Sequence, residues 1–209
     1  MENEEVKNQI RKLLTIYHPK RIDWEPLEFD KSKHALDNAL KMVSFWKTNG
    51  FFVDAGTLLG LVRDGKFIPH DTDIDIAVIG DKKSLRNFAA PDIEIARSVY
   101  LYDLPMQIAY LDQGILVDFY FYYPSLNGEH LINVNAECIL KLPSYLLLPI
   151  QETWIDLIGL VPTPYKVSEY LEWTYGVNWK IPKTKKKKWV NDRHNFGTLD
   201  DLNDIILSQ

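Results

Sequence analysis

Asp73 and Asp75 stand two residues apart in TDIDIAVI, a run whose later members are apolar, and Asp71 lies just ahead of them. If the run is an extended strand, successive side chains alternate faces. Both carboxylates then leave on one side while Ile74, Ile76 and Val78 leave on the other. Two such carboxylates lie about 7 Å apart at Cα. Leaning toward a common point, they repel by roughly 4 kcal/mol at about 4 Å with an effective dielectric near 20, and burial adds a further penalty. A divalent cation removes both costs, and oxygen donors suit Mg²⁺ or Mn²⁺ better than zinc. A solvent-facing edge strand explains an isolated Asp-x-Asp equally well, so the surrounding residues decide.

Asp118 supplies a third acid. In ILVDFYFYY, Leu116, Asp118 and Tyr120 share one strand face, and Val117, Phe119 and Phe121 the other. Set beside the first strand, this one brings three acids together. Asp118 either completes a second metal site or acts as general base toward an attacking hydroxyl. Upstream, Gly56 and Thr57 end a strand-like FFVDA and open a helix, a junction that offers backbone N–H groups and a hydroxyl to a phosphate.

The elements that position these residues read as mixed α and β. A helix capped by Asp30 carries Leu36, Leu40, Val43 and Trp46 on one face and ends toward Gly50. LLGLVR reads as a short helix, Asp64-Gly65 as a turn, and 73–79 as a strand; 81–90 reads as helix, followed by strands at 93–101, 106–111 and 115–123. Asp112-Gln113-Gly114 suits a hairpin. Strand patterns near 130–135 and 153–161 lead to Pro162, Pro164 and a helix over VSEYLEWTYG, with Ser168 as its cap. Trp173, Tyr175 and Trp179 there read first as core, and second as a flat wall for a base or headgroup.

The chain has 209 residues, 46% hydrophobic and 25% charged, which fits one domain divided into an N-terminal helical extension (1–29), a catalytic core (30–135) and a C-terminal segment (136–209). A net charge of −5 argues against a nucleic-acid partner. Cys138 is the sole cysteine, which excludes an intrachain disulfide and a Cys-rich zinc site. MENEEVKNQIRKLL has no apolar stretch suited to a signal peptide or membrane span, and the expectation is a cytoplasmic protein. Lys183, Lys185, Lys186, Lys187 and Lys188 form a basic run that reads as a solvated loop, a phosphate contact or peripheral contact with an anionic membrane.

GTLLGLVRDGKFIPHDTDIDIAV resembles the signature of the LicD-type phosphocholine transferase family, which includes fukutin and fukutin-related protein. VPTPYKVSEYLEWTYGVNWKIP resembles the family's tail, so the likeness covers roughly residues 35–182. His70 stands where the family often has Trp, and Thr72 replaces a frequent acid. The resemblance implies a nucleotidyltransferase (DNA polymerase β-like) α+β fold: a mixed sheet with helices packed on it and a mostly helical C-terminal part. It implies Mg²⁺-dependent transfer of a phospho-alcohol from a CDP-activated donor to a sugar hydroxyl of a glycan or glycolipid. The alternative is transfer of NMP from an NTP to a small molecule or protein. In that picture Asp73, Asp75 and Asp118 are the metal-binding and catalytic acids. Gly56, Thr57, Arg63 and Lys66 meet the donor phosphates, and His70 and Asp71 stand around the metal site.

Overall fold

The computed structural model describes residues 2–18, 26–46, 48–86, 94–135, 138–182 and 197–207. Along the chain these form α1 (Glu2–Leu13), β1 (Leu14–Tyr17), α2 (Phe29–Ser44), β2 (Gly50–Val53), α3 (Ala55–Asp64), β3 (Asp73–Ile79), α4 (Lys82–Arg86), β4 (Ile95–Leu101), β5 (Leu104–Asp112), β6 (Ile115–Pro124), β7 (His130–Val134), β8 (Ile139–Pro143), α5 (Ser144–Leu147), β9 (Gln151–Ile155), β10 (Gly159–Thr163), α6 (Val167–Tyr175) and α7 (Asp201–Leu207).

Eight strands form one curled sheet in the order β1-β4-β5-β6-β3-β2, with β7 added to β6 and β8 to β7; β9 and β10 form a separate hairpin. Every pairing is antiparallel except β3 with β6, which run parallel. The parallel pair lies inside the sheet, where burial on both faces explains apolar runs such as IAVI and FYFYY.

One face of the sheet carries the main core. Ile74, Ile76 and Val78 of β3 and Val117, Phe119 and Phe121 of β6 are all buried there. Helix α2 supplies buried Ala35, Leu36, Ala39 and Val43, and the Trp46 ring meets Phe119 edge-on at 4.7 Å. The same core extends from Ile10 of α1 to Ile205 of α7.

Several expectations change. The N-terminal part is not wholly helical, because LTIY pairs with β4 as an edge strand, its β-branched and aromatic residues fitting the ladder better than a further helical turn. The C-terminal part is not mostly helical among the described residues: β8, β9 and β10 alternate with three short helices, and Trp154 faces Leu160 across the β9–β10 hairpin. The strand expected at 153–161 is therefore two strands around a turn at residues 156–158, where Leu157 takes a φ of 68°. Helix α2 begins after Glu28, leaving Asp30 inside the first turn, where its charge still suits the helix dipole. It stops at Phe45, and Gly50, at φ 142°, instead opens β2. Lys166 rather than Ser168 stands at the start of α6.

Candidate active site

Register builds the site. In the parallel pair, Asp73 lies opposite Leu116, and Asp75 lies opposite Asp118. All three acids leave the sheet on the face away from α2, and one carboxylate oxygen from each lies within 4.8 Å of the other two. Asp75 is 5% exposed, Asp118 is fully buried and Asp73 is half-buried. Three carboxylates so close and so dry are costly when ionised. Burial, then the charge of Asp71, raises Asp73 to about 7. Burial, then Asp73, Asp71, Asp118 and Asp54 together, pushes Asp75 well above the ordinary carboxylate range. Asp118 is raised to about 7, because burial and Asp73 outweigh the opposing pull of Arg97 and Gln107.

The donor set suits a hard divalent cation. It is all oxygen, and Asp118 Oδ1 is buried without a hydrogen-bond partner. An orphaned carboxylate oxygen beside two further acids is what such an ion would satisfy.

The turn 54–57 fixes the acids from the β2 side. The Asp54 N–H donates to the carbonyl of Asp75 at 3.0 Å, and the Asp75 N–H donates to Thr57 Oγ at 2.9 Å. Thr57 is buried, so its hydroxyl oxygen serves to hold β3 in place. Ala55 between them has φ 45°, a left-handed conformation unusual for a residue with a side chain, at the point where strand becomes helix.

The two glycines of GTLLG have one explanation. Spaced four apart, Gly56 and Gly60 share a helix face, and the segment from Lys66 to Asp71 lies against it. A Cβ on Gly56 would stand 2.3 Å from Asp71 Oδ2; one on Gly60 would stand 2.7 Å from the Lys66 carbonyl and 2.9 Å from Ile68 Cγ1. Close approach of the backbones thus seats Asp71 beside Asp73. Asp71 Oδ1 accepts the Thr72 N–H at 3.1 Å, and burial raises its pKa against the opposing hydrogen bonds from Thr72 and Asp73.

The remaining expected residues fall farther out. Arg63 donates to Asp64 through Nε at 3.0 Å and Nη2 at 2.6 Å, an adjacent-residue fork near the end of α3. Lys66 stands exposed with its charge felt by Asp64, and His70 is exposed next to Asp71. Among the described residues, then, Asp71 joins the triad while Arg63 is already paired. The lysine run 183–188 lies outside the described residues, as do 87–90 of the helix expected at 81–90. Trp179 is core, as its pattern predicts, whereas Trp173 is 40% exposed.

Four site residues were not expected. Asp54 is buried, and its carboxylate accepts from the hydroxyls of Tyr170 at 2.5 Å and Tyr122 at 3.2 Å, which ties α6 to the 54–57 turn. Its place directly before Ala55-Gly56-Thr57 was the one signal in the chain. Arg97 Nη2 donates to Asp118 Oδ2, and the Gln107 side chain also favours the ionised form of Asp118. Tyr120 shares the Asp118 face; burial, then the charges of Asp118, Asp75 and Asp73, holds its phenol protonated far above the usual range.

Among the described residues no helix is long and apolar enough to cross a membrane. Residues 49–104 match the family model described as LicD/FKTN/FKRP, nucleotidyltransferase domain. The chain is also similar to the curated ribitol-5-phosphate transferase FKTN of Homo sapiens and of Macaca fascicularis, 25% identical in each case over 138 residues, which is 63% of this chain and 30% of the relative. The mouse protein of the same name matches to the same extent. The chain thus spans 30% of the length of these relatives. The segment similar to the LicD/FKTN/FKRP nucleotidyltransferase domain holds Asp73, Asp75, the 54–57 turn and both packed glycines.

Proposed function

We propose that this chain is a metal-dependent transferase with a nucleotidyltransferase-type fold, moving a phospho-alcohol from a CDP-activated donor to a sugar hydroxyl of a glycan or glycolipid. The observation that carries the reading is the convergence of Asp73, Asp75 and Asp118 within 4.8 Å, with one buried Asp118 oxygen lacking a hydrogen-bond partner. The family match and the FKTN name support the transferred group.

In this reading Asp73 and Asp75 hold Mg²⁺ or Mn²⁺, with Asp118 the third carboxylate and Asp71 the neighbour that positions Asp73. The bound cation supplies charge neutralisation for the phosphates and the leaving oxygen. The chain's own residues do the rest. The first N–H groups of α3, at Ala55, Gly56 and Thr57, precede the first helical bond, from Leu58 N–H to the Asp54 carbonyl, and so are open to a phosphate oxygen. Asp118 takes the proton of the acceptor hydroxyl as the hydroxyl oxygen bonds to phosphorus and the bond to CMP breaks, CMP leaving with the electron pair.

The deciding experiment incubates the purified protein with Mg²⁺ and, separately, CDP-choline, CDP-ribitol, CDP-glycerol, CTP and ATP. CMP release from a CDP-alcohol is expected; pyrophosphate release from an NTP, with every CDP-alcohol inert, would replace this reading with nucleotidyl transfer.

A further inference from the structure

Asp118 already has a cation beside it, and that cation belongs to the chain. Arg97 of β4 pairs with Ala109 of β5, Ala109 with Asp118 of β6, and Asp118 with Asp75 of β3, so the four stand on one transverse row of the sheet. Ala109 is fully buried and offers only a methyl group, which leaves room for the guanidinium to pass over it and reach Asp118 Oδ2. The charge of Arg97 also acts on Asp73 and Tyr120. Arg97 therefore supplies positive charge to two of the three acids before any metal arrives.

That attachment is partial. Arg97 Nε is buried without a hydrogen-bond partner, while the side chain keeps 20% exposure. A divalent ion drawn among Asp73, Asp75 and Asp118 carries twice the charge of the guanidinium, competes for the same oxygens and repels it at short range. An Arg so displaced keeps a planar fork of donors that matches phosphate oxygens, which a point charge such as Lys does not.

Resting on the reading that an activated phosphate donor binds here, we propose that Arg97 is a donor-binding residue that changes partners: it holds Asp118 Oδ2 in the metal-free protein, yields that oxygen to the cation, and turns its guanidinium to the donor's diphosphate. The residue thus couples loading of the metal to readiness for the donor. Its freed fork faces an anion only once Asp118 has been taken over.

The test titrates Mn²⁺ by calorimetry into the chelator-stripped full chain, wild type and Arg97→Gln, and then titrates inorganic pyrophosphate at saturating Mn²⁺. Arg97→Gln is expected to bind Mn²⁺ about tenfold more tightly, the scale on which neighbours of metal ligands act, and pyrophosphate about tenfold more weakly. Partial unfolding would weaken both. Unchanged or weaker Mn²⁺ binding in Arg97→Gln overturns the proposal, as does unchanged pyrophosphate affinity. If Arg97→Gln does not fold, the wild type decides: phenylglyoxal labelling of Arg97, read by peptide mass spectrometry, is expected to quicken severalfold on adding Mg²⁺ and to slow again with pyrophosphate, and no quickening overturns the exchange. Should these responses hold while no CDP-alcohol yields CMP, the donor reading fails and the exchange stands.

Discussion

Asp75 and Asp118 are direct register partners on the parallel strands β3 and β6, so their carboxylates leave the sheet side by side on rigid backbone. Neither sits on a loop that could let them move apart. Two carboxylates so close and so buried disfavour folding when both are ionised.

Removing one of those charges should therefore separate stability from function. Asp75→Asn is expected to raise the thermal midpoint of the chelator-treated protein by several degrees, on a scale of about 2–4 °C per kcal/mol for a chain of this size, and to abolish both turnover and the rise in midpoint that Mg²⁺ gives the wild type. Thermal melts with and without Mg²⁺ check this; a lower metal-free midpoint in the variant would contradict it.

The raised acids also fix the sign of the pH dependence. Asp71, Asp73, Asp75 and Asp118 all bind protons more tightly folded than unfolded, Asp73 and Asp118 at about 7 against an ordinary 3.8. Their contribution to stability is complete below about 4 and is lost as pH rises through about 7. Melting the chelator-treated protein from pH 4.5 to 8 should show a midpoint that falls across that window. Saturating Mg²⁺, which binds the ionised acids, should flatten or reverse the fall.

Gly56→Ala and Gly60→Ala should fail in different ways. At Gly56 the obstacle is a carboxylate that can swing aside, so Asp71 shifts and Mn²⁺ binding weakens, with a modest loss of stability. At Gly60 the obstacle is the Lys66 backbone carbonyl, so the loop itself must move, at a cost of about 1–3 kcal/mol. Paired denaturation and Mn²⁺ titrations would show the two rankings reversed.

Tyr170→Phe removes a hydroxyl that donates to buried Asp54 and leaves one Asp54 oxygen without that bond. The expected loss is about 1–3 kcal/mol, the range for leaving a buried acceptor without its partner. Tyr122→Phe, whose bond is longer at 3.2 Å, should cost less. Denaturant unfolding of the two variants measures the order.

Much of this site is legible in the amino-acid sequence. The two-residue spacing of Asp73 and Asp75, and the alternation around Asp118, state a strand face directly, because the period of a strand is fixed. The glycines four apart state a helix face that something must approach, although not what approaches it. Arg97 is not legible: nothing in IARSVYL says that β4 lies one strand removed from β6, so its partner depends on sheet order alone. Tyr170 and Asp54, 116 residues apart, are hidden for the same reason. LTIY cannot be told from a helix end by pattern, since four residues are too few to show a period.

The most direct measurement is CMP release from the accepted CDP-alcohol as Mg²⁺ is titrated, in the wild type and in Asp73→Asn. The wild-type rate should rise from background with Mg²⁺ and return to background with chelator, while Asp73→Asn, folded by circular dichroism, stays at background throughout. A full rate in chelator, or a wild-type rate in Asp73→Asn, would contradict a catalytic cation held by these acids.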